Sequence, residues 1–324
     1  MFESGLKRTL HTLTTAVLAA SMLMAGTTQS SAEDIKISFV VKDMTNPYYW
    51  RMGEGAKQAA ADLGVELSWV SAEFNGDIEG QIAVVEGELV KQPDALVLVP
   101  MNAKALIPKI REANRLGIPV VTADTRAEEG LADVVTFVGL DERLSYKGMA
   151  EFVVEHLGGS GKVAILEGFR GSSTAEERLV GMHEVLDAAP GIEVVASISA
   201  DWDREKGLKA TEDILQAHPD VDAILASNDE MALGAVQAVN SAGKKGEVIV
   251  VGDDAIPAAL EALKSGDMLA TIDGNTDKVG YQAVKTAYEF VTKGMQPDAW
   301  VVVPSNIMLK DDVTDEYLKA RGIQ

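Results

Sequence analysis

The stretch FVVKDMTNPYYWRMGEG, residues 39–55, brings an apolar run to an end at Val41 and then sets Lys42, Asp43, Asn46, Tyr48 and Tyr49 close together. Asn46 and Pro47 read as the N-cap and first position of a helix, so these charges and rings gather where a strand hands over to a helix. In open α/β sheets that end of the strand is where ligands sit. Asp124, Arg178, Trp202, Asn228, Asp253, Asp254 and Asp273 fall at further predicted strand ends or at the helix starts that follow them. Each has an ordinary alternative: Asn46, Asp203 and Asp229 can simply cap helices, Arg178 can be a solvated helical charge, and Trp202 can cover a turn. Their coincidence at one sheet edge is the stronger signal. Carboxylates, amides, guanidinium and ammonium groups exchange hydrogen bonds with hydroxyls, and aromatic faces pack on C–H surfaces. Together they describe a carbohydrate site.

Catalytic constellations are absent from the pattern. His11, His156, His183 and His218 lie far apart with neither metal-ligand nor triad spacing. GGSGK at 158–162 lacks the glycine a phosphate-binding loop requires at 156, where His156 stands, and it leads into the strand KVAIL rather than a helix. EGFRGSSTAEER, 167–178, follows a strand and opens a helix, so its amides can cradle an anion or form a plain capped turn. The expectation is a binding protein, not an enzyme, with no cofactor and no metal.

The elements that must position these residues alternate. Short Val/Ile/Leu runs at 35–41, 65–70, 94–99 and 118–122 are separated by amphipathic stretches at 47–63, 77–91 and 103–116, the βαβ pattern of a parallel sheet. The pattern restarts with strands at 162–167, 192–198, 221–226 and 247–251 and helices at 174–188, 204–217 and 229–242. Asp94 to Asp124 and Asp222 to Asp254 repeat strand, helix, strand and aspartate, which makes Asp124 and Asp254 counterparts in two similar lobes facing across a cleft. A strand at 268–272, a helix at 276–293 and a strand at 299–303 are too little for a third domain and should complete the two sheets, so the chain crosses between lobes more than once.

Composition bounds the rest. The chain has 324 residues, 47% hydrophobic and 24% charged, as a folded soluble protein has. Lys7 and Arg8 precede an apolar run around 13–24, and Ser30, Ser31 and Ala32 offer a cleavage site, so residues 1–32 are expected to be a secretory signal peptide and Glu33 the mature N-terminus. With no cysteine there is neither disulfide nor lipid attachment site. The formal net charge is −21, and −22 without residues 1–32, which opposes nucleic acid and anionic membrane surfaces.

NPYY at 46–49, IPVVTADT at 118–125, ADWDREKG at 200–207, HPDVDAILASNDEMALGAVQAV at 218–239 and VVGDDAIP at 250–257 resemble the periplasmic sugar-binding proteins of the ribose, allose and galactose group, over essentially the whole mature chain. Lys42 after the first strand looks most like the allose-binding branch. The resemblance implies a two-lobed Venus-flytrap α/β fold with lobes at 33–140 plus 275–303 and 141–272 plus 304–324. It implies a periplasmic monomer that delivers a neutral monosaccharide or polyol to the inner-membrane permease of an ATP-driven importer. It also implies that Tyr48, Tyr49 and Trp202 sandwich the sugar ring, while Asn46, Asp124, Arg178, Asn228 and Asp254 bond its oxygens and Lys42 adds a polar contact. Thr125 stands where the ribose branch has arginine, Asp253 where the residue is usually neutral, and Gly274 where glutamine is usual, departures that leave the identity of the sugar open; Asp43, Thr125, Asp253 and Asp273 are counted with the candidate ligand residues. A receptor module for a chemotactic or sensory partner would share this fold. So would the effector domain of a DNA-binding regulator, but it would need a helix-turn-helix where the signal peptide stands.

Overall fold

The computed structural model of the protein describes residues 35–323, so the expected signal peptide and the Glu33 N-terminus lie outside the described residues. The first half runs β1 (Ile35–Val41), α1 (Pro47–Leu63), β2 (Val65–Ser71), α2 (Ile78–Val90), β3 (Ala95–Leu98), α3 (Ile107–Arg115), β4 (Val120–Ala123) and β5 (Thr136–Gly139). The second continues with α4 (Glu142–His156), β6 (Ser160–Glu167), α5 (Ser173–Leu186), β7 (Gly191–Ser199), α6 (Arg204–Ala217), β8 (Ala223–Ala226), α7 (Asp229–Ser241), β9 (Ile249–Asp253), α8 (Pro257–Ser265) and β10 (Ala270–Asp273). Then come α9 (Thr276–Lys293), β11 (Trp300–Val302), β12 (Asn306–Met308) and α10 (Asp315–Ala320).

Two six-stranded sheets result, ordered β11-β5-β4-β3-β1-β2 and β12-β10-β9-β8-β6-β7. The first is parallel throughout; in the second only β12 runs antiparallel, against β10. The orders superimpose element for element, which is the structural form of the sequence repeat. β3, β4 and β8 are buried along their whole length, as apolar runs covered by helices on both faces must be. Separate apolar cores pack on the two faces of each sheet, one built around Phe39, Met52 and Val97 and another around Leu166, Ile224 and Leu260.

The chain passes between the sheets three times, from β5 to α4, from β10 to α9 and from β11 to β12. The second passage returns α9 to the first sheet, where it packs on α1. That contact needs glycine: a Cβ on Gly55 would lie 1.8 Å from the Asp277 carbonyl oxygen, and one on Gly280 2.0 Å from that of Met52. The helix whose first turn carries Tyr48 and Tyr49 is thereby locked to a crossing strand-helix junction.

β5, α4, α8, β12 and α10 go beyond the elements the sequence pattern marks. β5 and β12 have four and three residues, too few for a periodicity to register. The buried stripe of α4, Tyr146, Met149, Ala150 and Val153, does have helical spacing and carried a usable signal.

Candidate functional site

The carboxyl ends of both sheets open onto one cavity, the place where ligands sit in an open α/β fold. Lys42, Asp43, Asn46, Tyr48, Tyr49 and Asp124 line it from the first lobe, and Arg178, Trp202, Asn228 and Asp254 from the second. Asn75 and Thr174, which sequence reasoning missed, complete the wall. Both were discoverable as polar residues just past β2 and at the start of α5.

At the first-lobe wall, Asn46 caps α1 by accepting from the Tyr48 N–H at 2.9 Å, and Pro47 begins the helix, so Tyr48 and Tyr49 emerge together from the first turn. Their rings meet edge to face, with centroids 5.1 Å apart. The Tyr48 hydroxyl donates to Asp124 Oδ1 at 2.5 Å, and Lys42 Nζ lies 3.4 Å from Oδ2. Burial, followed by the Asp124 charge, pushes both phenols well above the ordinary tyrosine range, so they act as neutral donors and surfaces. Asp43 folds its own turn, Oδ1 accepting from Thr45 N at 2.8 Å, Thr45 Oγ1 at 2.7 Å and Asn46 N at 3.1 Å.

Opposite, Trp202 sits in a tight turn where Asp201 and Trp202 have φ of 51° and 65°, a left-handed conformation that is costly for both residue types and concentrates at functional sites. Its ring lies over Gly168, where a Cβ would be 2.1 Å from it. Asn75 Nδ2 reaches across from the first lobe to the Asp201 carbonyl at 2.9 Å, and Asn228 Nδ2 donates to the Trp202 carbonyl at 3.3 Å. Asn228 also caps α7, accepting from Met231 N at 2.9 Å, so its capping and site placements coexist.

Arg178, reached from α5, is buried and held by several groups. Nε donates to Glu142 Oε2 at 2.8 Å, Nη2 to Oε1 at 3.2 Å, and Nη1 to the Ser227 carbonyl at 2.5 Å. Nη1 is also 3.0 Å from Asp253 Oδ2, an ion-pair contact in which the N–H points past that oxygen and makes no hydrogen bond to it. Burial pushes the Glu142 carboxyl up to about 7 and that of Asp253 up to about 6, with Arg178 pulling both back. Asp254 faces the cavity and none of the described residues hydrogen-bonds its carboxylate. Burial, then the neighbouring Asp253 and Asp229, raise it well above the ordinary range.

Three expected residues lie elsewhere. Thr125 is wholly buried, its hydroxyl 3.2 Å from Asp124 Oδ2 and 2.9 Å from Thr174 Oγ1, so it seals the lobe contact rather than lining the cavity. Asp253 turns behind Arg178. Asp273 turns away altogether because β10 ends beside the crossing into α9: its carboxylate accepts from Arg51 at 3.0 Å and the Tyr317 hydroxyl at 3.0 Å, and also pairs with Arg321. Gly274 leaves no side chain there, and a Cβ would lie 2.9 Å from Leu140.

The described residues include no cluster of three or more His, Asp or Glu placed to hold a metal ion. The cavity lining combines aromatic rings with hydrogen-bonding groups, Lys42 Nζ lying 6.0 Å and the Arg178 guanidinium 5.5 Å over the Trp202 ring, a mixture of chemistries that suits a small polyhydroxylated ligand.

Residues 37–295 match the family described as the periplasmic binding protein domain. The chain is 36% identical over 299 residues to the ribose import binding protein of Haemophilus influenzae, covering 92% of this chain and 98% of that one. It is 34% identical over 270 residues to the D-allose-binding periplasmic protein of Escherichia coli, covering 81% of this chain and 86% of that protein. A crystal structure of a periplasmic solute-binding protein from Actinobacillus succinogenes with bound D-allose superimposes with a TM-score of 0.82 at 33% identity, over 86% of this chain and 99% of that one.

Proposed function

The chain belongs to the periplasmic binding protein family, and from that premise we propose that it captures a neutral monosaccharide or polyol between its lobes and hands it to the permease of an ATP-driven importer. The observation that carries this reading is the cavity itself, whose lining brings together Tyr48, Tyr49, Trp202 and a run of hydrogen-bonding groups, among them Asp254, whose carboxylate none of the described residues hydrogen-bonds. A hydroxylated ring would donate to Asp254 and Asn228, accept from Lys42 and Arg178, and rest its C–H faces on the rings. Residues 33–140 plus 275–303 form the first lobe in this proposal and 141–272 plus 304–324 the second, with the three crossings as hinge. The protein works as a periplasmic monomer whose task ends with release of an unaltered ligand.

A thermal-shift screen of pentoses, hexoses, deoxysugars and alditols tests the reading. A ligand at 100 times its dissociation constant adds about 2.7 kcal/mol of stability. Mass spectrometry of the recovered ligand should find it unchanged. No shift with any member of the panel, or turnover of one, overturns the proposal.

A further inference from the structure

We propose that Asp253 is a specificity-determining residue: together with Glu142 it neutralises Arg178 from behind the cavity wall, so that the site takes ligands without a carboxylate or phosphate and rejects their anionic counterparts. The inference rests on the sugar-binding reading and adds to it the residue that keeps a charged ligand out.

An arginine in a binding cavity is ordinarily an anion receptor, because its planar fork matches a carboxylate or phosphate with two parallel hydrogen bonds. Here the charge is already matched: Nε and one N–H of Nη2 donate to Glu142 and one N–H of Nη1 to the Ser227 carbonyl, with Nη1 3.0 Å from Asp253 Oδ2, which leaves one N–H on each of Nη1 and Nη2 for a neutral acceptor. The Arg178 side chain is 4% exposed and those of Glu142 and Asp253 2% each, so no solvent screens the three charges from one another. With both carboxylates ionised the group carries one net negative charge.

The second cation offers no more. Lys42 faces Asp124 at 3.4 Å, both side chains buried. An incoming carboxylate would shed its hydration, find each cation already matched, and meet Asp254 across the cavity. A hydroxyl suffers none of this, since it donates to Asp254. The rise of the Asp253 carboxyl to about 6 and of Glu142 to about 7 reflects the same crowded, dry and negative surroundings. Asp253 owes its placement to the strand: it is the last residue of β9, its side chain turned to Arg178 while Asp254, at φ 124°, faces the cavity.

The test compares ligands differing in one group: D-glucose with D-glucuronate, D-galactose with D-galacturonate, D-ribose with D-ribose 5-phosphate, and whichever hexose or alditol scores highest in the screen with its acid. Calorimetry gives dissociation constants for wild type, Asp253→Asn, Asp253→Ser and Glu142→Gln. The readout is the ratio of anion to neutral affinity, which a general loss of stability leaves in place. Wild type should favour the neutral member by about a hundredfold or more. Each variant should narrow that ratio at least tenfold, less than the full effect of one charge at about 6 Å in a medium of effective dielectric about 20. An acid bound by wild type as tightly as its neutral partner overturns the inference, as does a ratio unmoved in the folded Asp253 variants. If no neutral sugar or polyol binds wild type, the reading of function fails and this inference falls with it.

Discussion

Asp124 and Asp254 are structural counterparts, each just past the equivalent strand of its sheet: the N–H of Asp124 donates to the Val138 carbonyl at 3.0 Å, and that of Asp254 to the Ile272 carbonyl at 2.9 Å. Val138 and Ile272 are the third residues of β5 and β10, so the backbones repeat bond for bond. The carboxylates do not. Asp124 is matched by Lys42, Tyr48 and Thr125, whereas Asp254 meets like charges.

This asymmetry separates two substitutions. Asp254→Asn should weaken ligand binding about ten- to hundredfold, the effect of a lost charge-assisted hydrogen bond, while raising the melting temperature of the unliganded protein. Asp124→Ala should weaken binding too but lower the unliganded melting temperature, because Lys42 is left buried without its partner. Calorimetry with thermal unfolding checks both; equal melting temperatures in the two variants contradict the assignment.

Stability of the unliganded protein should rise as pH falls from about 7.5 to about 5. Glu142 and Asp253, at about 7 and about 6 in the folded protein, and the raised Asp229 and Asp254 all bind protons more tightly folded than unfolded across that window. Below about pH 4 the sign reverses, since Asp267, held down to about 2 chiefly by Lys245, stabilises the fold only while ionised. A melting temperature at least about 2 °C higher at pH 5 than at pH 7.5 is expected, with a shallower slope in Asp253→Asn. A steady fall across that range would contradict it.

The lobes already touch around the cavity, Ala103 N donating to the Gly171 carbonyl at 3.0 Å and Thr174 Oγ1 to the Asp124 carbonyl at 3.0 Å. Ligand should favour this closed arrangement, because it shifts two states by its differential affinity for them. Small-angle scattering should show wild type contracting at saturation, with Trp202→Ala needing more ligand to do so. Gly168→Ala should behave like Trp202→Ala, as its new methyl displaces the indole. No contraction of the wild type at saturation would dismiss the clamp.

Asp273 should prove a structural residue. Asp273→Ala leaves Arg51 and Arg321 without their shared partner and should cost about 3 kcal/mol at most, the low end for a broken buried pair because Arg51 is partly exposed. Ligand affinity should change by no more than about threefold. Denaturant unfolding and calorimetry decide it, and a tenfold affinity loss at unchanged stability would return Asp273 to the site.

By itself the sequence determined the repeated βαβ order, the two lobes, the several crossings and the strand ends where the cavity lies. Those follow from local chemistry: buried runs such as ALVL and AILA, the cap at Asn46 and the proline after it, the aspartates closing β4 and the repeat. Only the tertiary structure decided which side chains at those ends reach the cavity. Asp253 and Asp254 are adjacent, yet one turns behind Arg178 and the other into the cavity, because the choice depends on where α5 delivers a guanidinium from 75 residues away in the chain. Asp273 was drawn off by Arg51 and Arg321, and Asn75 and Thr174 were brought in, through contacts between segments distant in sequence. Periodicity and capping act over a few residues and register in a string of letters; the pairing of buried charges is set by distances that exist only once the lobes are packed.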